Sequence, residues 1–146
     1  MNTAALTLFL LLLTSQQPSP TQVTLTGTVI LLEEHLKEQG IPADSEVAAQ
    51  QAVLKADDGT ITPLLSSVAS RALVLDKRLR NRKAQIQGQM RPGFPYLEVV
   101  LFRVEEQGQF RIPEYWCDVC SISVRFPQIC PCCQGEMTLQ YKGLTD

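Results

Sequence analysis

All five cysteines of this 146-residue chain lie between positions 117 and 133, and they are its residues best suited to chemistry. Four of them form two C-x-x-C pairs, Cys117-Asp118-Val119-Cys120 and Cys130-Pro131-Cys132-Cys133, separated by nine residues. A thiolate is a soft, strongly donating ligand, and two of them three positions apart can bend around one ion as a knuckle. Two knuckles joined by a hairpin supply four thiolates, which satisfies tetrahedral zinc at Zn–S distances near ~2.3 Å and leaves no open position. The expected site is therefore Cys117, Cys120, Cys130 and Cys133, a closed structural centre with zinc as cofactor. Iron and copper, which also take paired thiolates, are the alternative metals. Cys132 is left over as an extra thiol, a spare ligand, a reactive group or a buried side chain.

Disulfides compete for the same cysteines if the chain enters an oxidising compartment. Five is odd, and a bridge between the neighbours Cys132 and Cys133 would be strained, so the residues do not sort into a disulfide framework. A thiol–disulfide protein would instead use Cys117 and Cys120.

Around the cysteines, Tyr115-x-Cys117, Phe126-Pro127, Cys130-Pro131-x-Cys133 and Gly135-x-Met137-x-Leu139 resemble the short heavy-metal-binding domain of bacterial export and metal-handling proteins. That family reads roughly Y-x-C-P-M-H-P, a spacer, then C-P-x-C-G-M-x-L. The resemblance implies soft-metal handling, of copper or another heavy metal. Here Cys120 stands where the family has His, which keeps a ligand. Asp118 replaces the first Pro, and Gln134 and Glu136 loosen the Gly–Met step. These departures move the site towards an ordinary zinc ribbon.

The elements that must position this site are legible upstream. Val23, Leu25, Gly27, Val29 and Leu31 alternate with Thr24, Thr26, Thr28 and Ile30, a β-branched strand with a glycine where it can bend. Ile41-Pro42-Ala43-Asp44 breaks the chain, and Ser45 is expected to cap a helix through Gln51. Ala52 to Ala56 and Thr60 to Leu65 flank Asp57-Asp58-Gly59, a hairpin. Ser66 or Ser67 then caps a helix with Val68, Ala72, Leu75 and Leu79 on one face, widened by Ala69 and Leu73. Ala84, Ile86, Gly88 and Met90 alternate with three glutamines as a half-exposed strand. After Arg91-Pro92-Gly93, Tyr96 to Val104 is a long apolar strand, and Phe110-Arg111-Ile112 leads to the cysteines.

The fold class is thus mainly β (α+β). Five strands with a helix between the third and fourth resemble an OB-fold barrel over residues 22–112, followed by a zinc-ribbon-like knuckle over 113–146. Before the barrel, Ala4 to Leu13 are apolar except for Thr7. That is too short to span a bilayer but fits a signal peptide, so 1–17 reads as a signal peptide or an N-terminal anchor, with 18–21 as linker. The expected location is exported, periplasmic or extracellular, with membrane contact if the segment is retained.

Of the sequence, 45% is hydrophobic and 19% charged, proportions of a globular chain, and the net charge of −2 gives no general attraction to polyanions. Nucleic acid is therefore not an expected partner. The exception is Lys77, Arg78, Arg80, Arg82 and Lys83, read as a solvated helix end or an anion-binding patch. The late aromatics, Phe94, Tyr96, Phe102, Phe110, Tyr115, Trp116, Phe126 and Tyr141, read as core rather than as a base-stacking platform. His35, the only histidine, has no second histidine to make a site and reads as surface. No H-E-x-x-H, G-x-S-x-G, P-loop or C-x-x-C-H occurs. The sequence thus points to an exported, non-enzymatic binding or adaptor protein with an unknown protein partner. Soft-metal handling, thiol–disulfide exchange and an oligonucleotide-binding OB module are the alternatives.

Overall fold

A computed structural model describes residues 19–142, so the apolar run of 4–13 lies outside the described residues. The structure is mainly β, an antiparallel sheet of eight strands with three short helices. The strands are β1 (Thr21–Leu31), β2 (Ala52–Lys55), β3 (Ile61–Pro63), β4 (Lys83–Arg91), β5 (Phe94–Glu106), β6 (Gln109–Cys117), β7 (Ile122–Val124) and β8 (Thr138–Lys142). The helices are α1 (Leu32–Glu38), α2 (Ser45–Ala48) and α3 (Arg71–Leu75), the last followed by a 3-10 turn at Lys77–Leu79. The ladder runs β3-β2-β1-β4-β5-β6-β7, with β8 on β6. One parallel bridge joins Leu64, just past β3, to Leu97 of β5, and the Leu65 N–H donates to the Leu97 carbonyl at 2.8 Å.

β1 serves two neighbours. Its residues Thr21–Thr28 pair with Met90–Lys83 of β4, and Thr28–Leu31 pair with Lys55–Ala52 of β2. The exchange happens beside Gly27, where a Cβ would stand 2.5 Å from the Lys55 carbonyl oxygen and 3.1 Å from Ala56 Cα. These are backbone atoms and cannot rotate away, so the absent side chain is what lets β2 cross there. Gly27→Ala should cost about 1–3 kcal/mol, as overpacking does. Urea denaturation checks this, and an unchanged midpoint would mean that the crossing has slack.

Alternation built the core as read from the sequence. Ala84 and Ile86 on β4 are fully buried beside Leu97, Val99, Phe102 and Val104 on β5, with Val29, Leu54, Leu64, Leu73 and Leu79 completing the cluster. The glutamines of β4 are half-exposed. The Asp57-Asp58-Gly59 turn also forms as read. The Thr60 N–H donates to Asp58 Oδ1 at 2.8 Å, and Gly59 takes a left-handed φ of +86°.

The helical expectations need three corrections. α1 is an added helix, and His35 lies on it, half-buried rather than on the surface. α2 ends at Ala48, and its cap is Asp44 rather than Ser45, since Asp44 accepts from the Glu46 and Val47 N–H groups. The long helix from Ser66 or Ser67 does not form. α3 is five residues, and its expected apolar face is split: Ala72 and Leu79 are buried, but Val68 is 62% and Leu75 51% exposed. α3 begins only at Arg71, after Val68, and it stops at Leu75 because Asp76 leaves helical geometry at φ −111° and ψ 106°, its carboxylate held by Arg78 and Tyr115.

Candidate metal centre

β6 runs unbroken from Gln109 to Cys117 and carries the chain from one sheet region to the next. Its first residues pair with β5, and its last pair with β7 on one side and β8 on the other. The result is a small three-stranded antiparallel unit, β7-β6-β8, with one cysteine pair at the β6–β7 turn and the other in the segment before β8.

The two pairs are built alike. After the first, the Ser121 N–H donates to the Cys117 carbonyl at 2.8 Å; after the second, the Gln134 N–H donates to the Cys130 carbonyl at 2.9 Å. Ser121 and Gln134 have left-handed φ values of 54° and 59°, a region that side chains usually avoid and that costs of order 1 kcal/mol or more. Each turn therefore curls both cysteines of its pair to one side.

The sulfurs of Cys117, Cys120, Cys130 and Cys133 all lie within 4.8 Å of one another, and Cys117 Sγ is 3.5 Å from Cys133 Sγ. A tetrahedral ion with ligands at about 2.3 Å requires sulfurs about 3.8 Å apart, so the spacing suits a metal. It is far longer than a disulfide bond of about 2.05 Å, and all five cysteines are free thiols. Cys117 and Cys130 are buried, Cys120 is half-buried and Cys133 is exposed. Cys132 is exposed and is not among the four clustered ligands.

The thiols are poised unequally. Backbone N–H groups of Cys133 and then Cys132 hold the Cys130 thiol down at about 6. Cys120 is pushed well up, first by its hydrogen bond with Cys132 and then by burial. At Cys117 the Cys120 N–H favours the thiolate, but burial and the neighbouring Cys130 and Cys133 thiols outweigh it and the thiol rises. A bound dication would remove this mutual opposition by supplying positive charge to all four sulfurs, releasing protons as it binds.

A residue with no assigned role at the sequence level ties this unit to the larger sheet. Asp76 is 6% exposed and accepts from the Tyr115 hydroxyl at 2.7 Å. It also takes the Arg78 backbone N–H at 2.9 Å and the Arg78 guanidinium at 2.7 Å. Tyr115 itself is 1% exposed and lies two residues before Cys117. The only available signal for Asp76 was a single acid at the head of a basic run.

That basic run is largely engaged inside the molecule. Arg78 pairs with Asp76. Arg80 donates to the Leu73 and Val74 carbonyls, capping α3. Arg82 pairs with Glu106 at 2.6 Å, bonds the Glu105 carbonyl and lies 5.8 Å from the Tyr141 ring centroid. Lys83 reaches Asp57 at 3.5 Å. Lys77 is exposed. The five residues do not line one helix end. Arg82 instead bridges to β5 and β8, and Arg78 closes on Asp76, which in turn meets Tyr115 of β6.

Burial pushes the Asp76 carboxyl up, but hydrogen bonds from Arg78 and Tyr115 outweigh it and hold the group at about 2. An unfolded aspartate titrates near ~3.9. The stabilisation is therefore complete above pH ~4 and is lost as pH falls towards ~2, amounting to about 2.5 kcal/mol. In chelator-treated protein, the stability difference between wild type and Asp76→Asn should shrink over that window. A constant difference from pH 5 to pH 2 would show that the carboxylate's charge contributes nothing.

No family model, curated protein or solved structure matches this chain. The four clustered cysteines could hold a metal ion, and that reading rests on their geometry alone.

Proposed function

We propose that this chain is an exported, non-enzymatic binding or adaptor protein, an OB-like barrel carrying a zinc-ribbon-like knuckle whose Cys117, Cys120, Cys130 and Cys133 hold one structural zinc. The observation that carries it is the pair of matched turns, which bring four thiols within 4.8 Å of one another. Four protein ligands fill a tetrahedral ion's coordination, so the metal organises the chain and has no position for a substrate.

Support for the barrel comes from the shared strand β1, from α3 between β3 and β4, and from the parallel Leu64–Leu97 bridge. That bridge brings together strands that lie four places apart in the ladder. Support for zinc over soft-metal handling comes from Cys120, a fourth thiolate where the resembling family has His. Export rests on the apolar run of 4–13; no helix among the described residues is long and apolar enough to cross a membrane.

The test is elemental analysis and thiol mapping of the chain purified from its own compartment. One zinc per chain is the expected result. Metal-free protein with Cys117 bonded to Cys120 would replace this reading with thiol–disulfide exchange. Copper that exchanges readily with a thiol competitor would replace it with soft-metal handling. A reporter fused after Asp146 should be active outside the cytoplasm, and activity confined to the cytoplasm would end the export reading.

A further inference from the structure

The barrel end where the chain enters β1 also carries Phe94, an exposed aromatic among the described residues. Thr21, the first residue of β1, pairs with Met90, and the β4–β5 turn follows at once with Arg91 opposite Phe94. Phe94 is 40% exposed and stacks on Tyr96 with ring centroids 5.2 Å apart. Pro92 and Pro95 flank it and are exposed. Tyr96 in turn lines a 520 Å³ groove with Leu32, Leu36, Val47 and Ala48. Val47 is 67% exposed and Ile41 51% exposed, and the Ile41 N–H is bonded to the Leu36 carbonyl. Tyr96 and Val47 thus share one groove, whose polar lining is Asp44, Gln50, Gln51 and Ser66, with Phe94 stacked on Tyr96 beside it and Ile41 following α1.

What covers this end follows from the chain leading to it. Between the apolar run ending at Leu13 and the start of β1 at Thr21 there are seven residues, Thr14 to Pro20. Fully extended, they reach at most about 25 Å, so a membrane-held leader keeps this end of the barrel near the bilayer. The apolar run is ten residues, half of what a spanning helix needs, and one shallow anchor holds weakly without a second contact. Aromatic rings with a polar edge suit the headgroup level. Charge selects the lipid. Asp44 lines the groove, Arg91 is paired to Glu98 at 2.8 Å, and the chain carries a net −2, which favours zwitterionic over anionic headgroups.

We infer that the Phe94–Tyr96 turn and the adjoining Ile41–Val47 groove rest on a zwitterionic lipid surface, a second membrane contact that works with a retained N-terminal segment. This rests on the export reading with the leader uncleaved. The full chain, reconstituted into phosphatidylcholine vesicles with brominated acyl chains, gives the test. Wild type reports through its single Trp116, on β6 between β7 and β8, and Phe94→Trp and Val47→Trp report from this end. The added tryptophans should be quenched by the brominated chains, as side chains seated at the interface would be, while Trp116 stays unquenched. A chain that floats with the vesicles while both added tryptophans stay bright would overturn the contact and leave the anchor standing. A chain that does not float would overturn both.

Discussion

Replacing any one of Cys117, Cys120, Cys130 or Cys133 by Ser should abolish stoichiometric zinc binding and loosen the chain from about Pro113 onward, while β1 to β5 stay folded. Structural zinc in small modules is worth on the order of 10–16 kcal/mol apparent, against a whole-domain stability of about 5–15 kcal/mol. The β7-β6-β8 unit depends on that term because its own burial is thin. β7 and β8 contribute no fully buried side chain, Val119 and Ile129 are 81% and 65% exposed, and both cysteine turns hold a residue in the left-handed region without glycine. A bound ion's bonds would add to the one backbone hydrogen bond that closes each turn and offset those conformations. Cys132→Ser should change neither zinc content nor order, since its sulfur is not among the clustered four. Zinc stoichiometry and amide exchange over 113–142 read the two effects separately. If Cys132 proves essential and Cys133 dispensable, the fourth ligand has been misassigned.

What was legible in the sequence was what depends on short spacings. The two C-x-x-C pairs bring their ligands together through turns of a few residues, so the grouping of four thiols could be read directly. The same holds for β4, whose alternation of Ala84, Ile86, Gly88 and Met90 with glutamines needs only a pleat with one wet face. β1 was equally plain, and Gly27 marked its crossing because only a missing Cβ fits there. The helix expected from Ser66 or Ser67 failed for the opposite reason. Its periodicity continued through Leu75 to Leu79, but Asp76 is drawn out of the helix by Tyr115, 39 positions later, and no local pattern records such a partner. The basic run misled in the same way, because Arg82 finds Glu106 and Tyr141 only after β5 and β8 are in place. β7 and β8 escaped notice because they are three and five residues long and bury no side chain fully.

Asp76 is accordingly the site of the second large effect. Asp76→Ala should destabilise the protein by about 3–5 kcal/mol, in the range for breaking a buried hydrogen-bonded charge. Three losses coincide. The 3-10 turn loses its cap, worth about 1 kcal/mol. The Tyr115 hydroxyl, 1% exposed, is left without its acceptor, which costs about 1–3 kcal/mol. Arg78 loses its partner, a smaller matter because its side chain is 57% exposed and water can solvate it. Tyr115→Phe removes only the hydroxyl and should cost less, leaving the carboxylate with Arg78. Because Tyr115 stands on β6 two residues before the first ligand, the damage should also reach the metal turns, lowering protection of Cys117 and its neighbours even with zinc bound. Urea denaturation of the two single variants and of the double variant gives the coupling between carboxylate and hydroxyl. The two losses share one hydrogen bond, so the double variant should cost clearly less than the sum of the singles. Strict additivity would show that Asp76 and Tyr115 act independently and that the link between the larger sheet and the cysteine turns lies elsewhere.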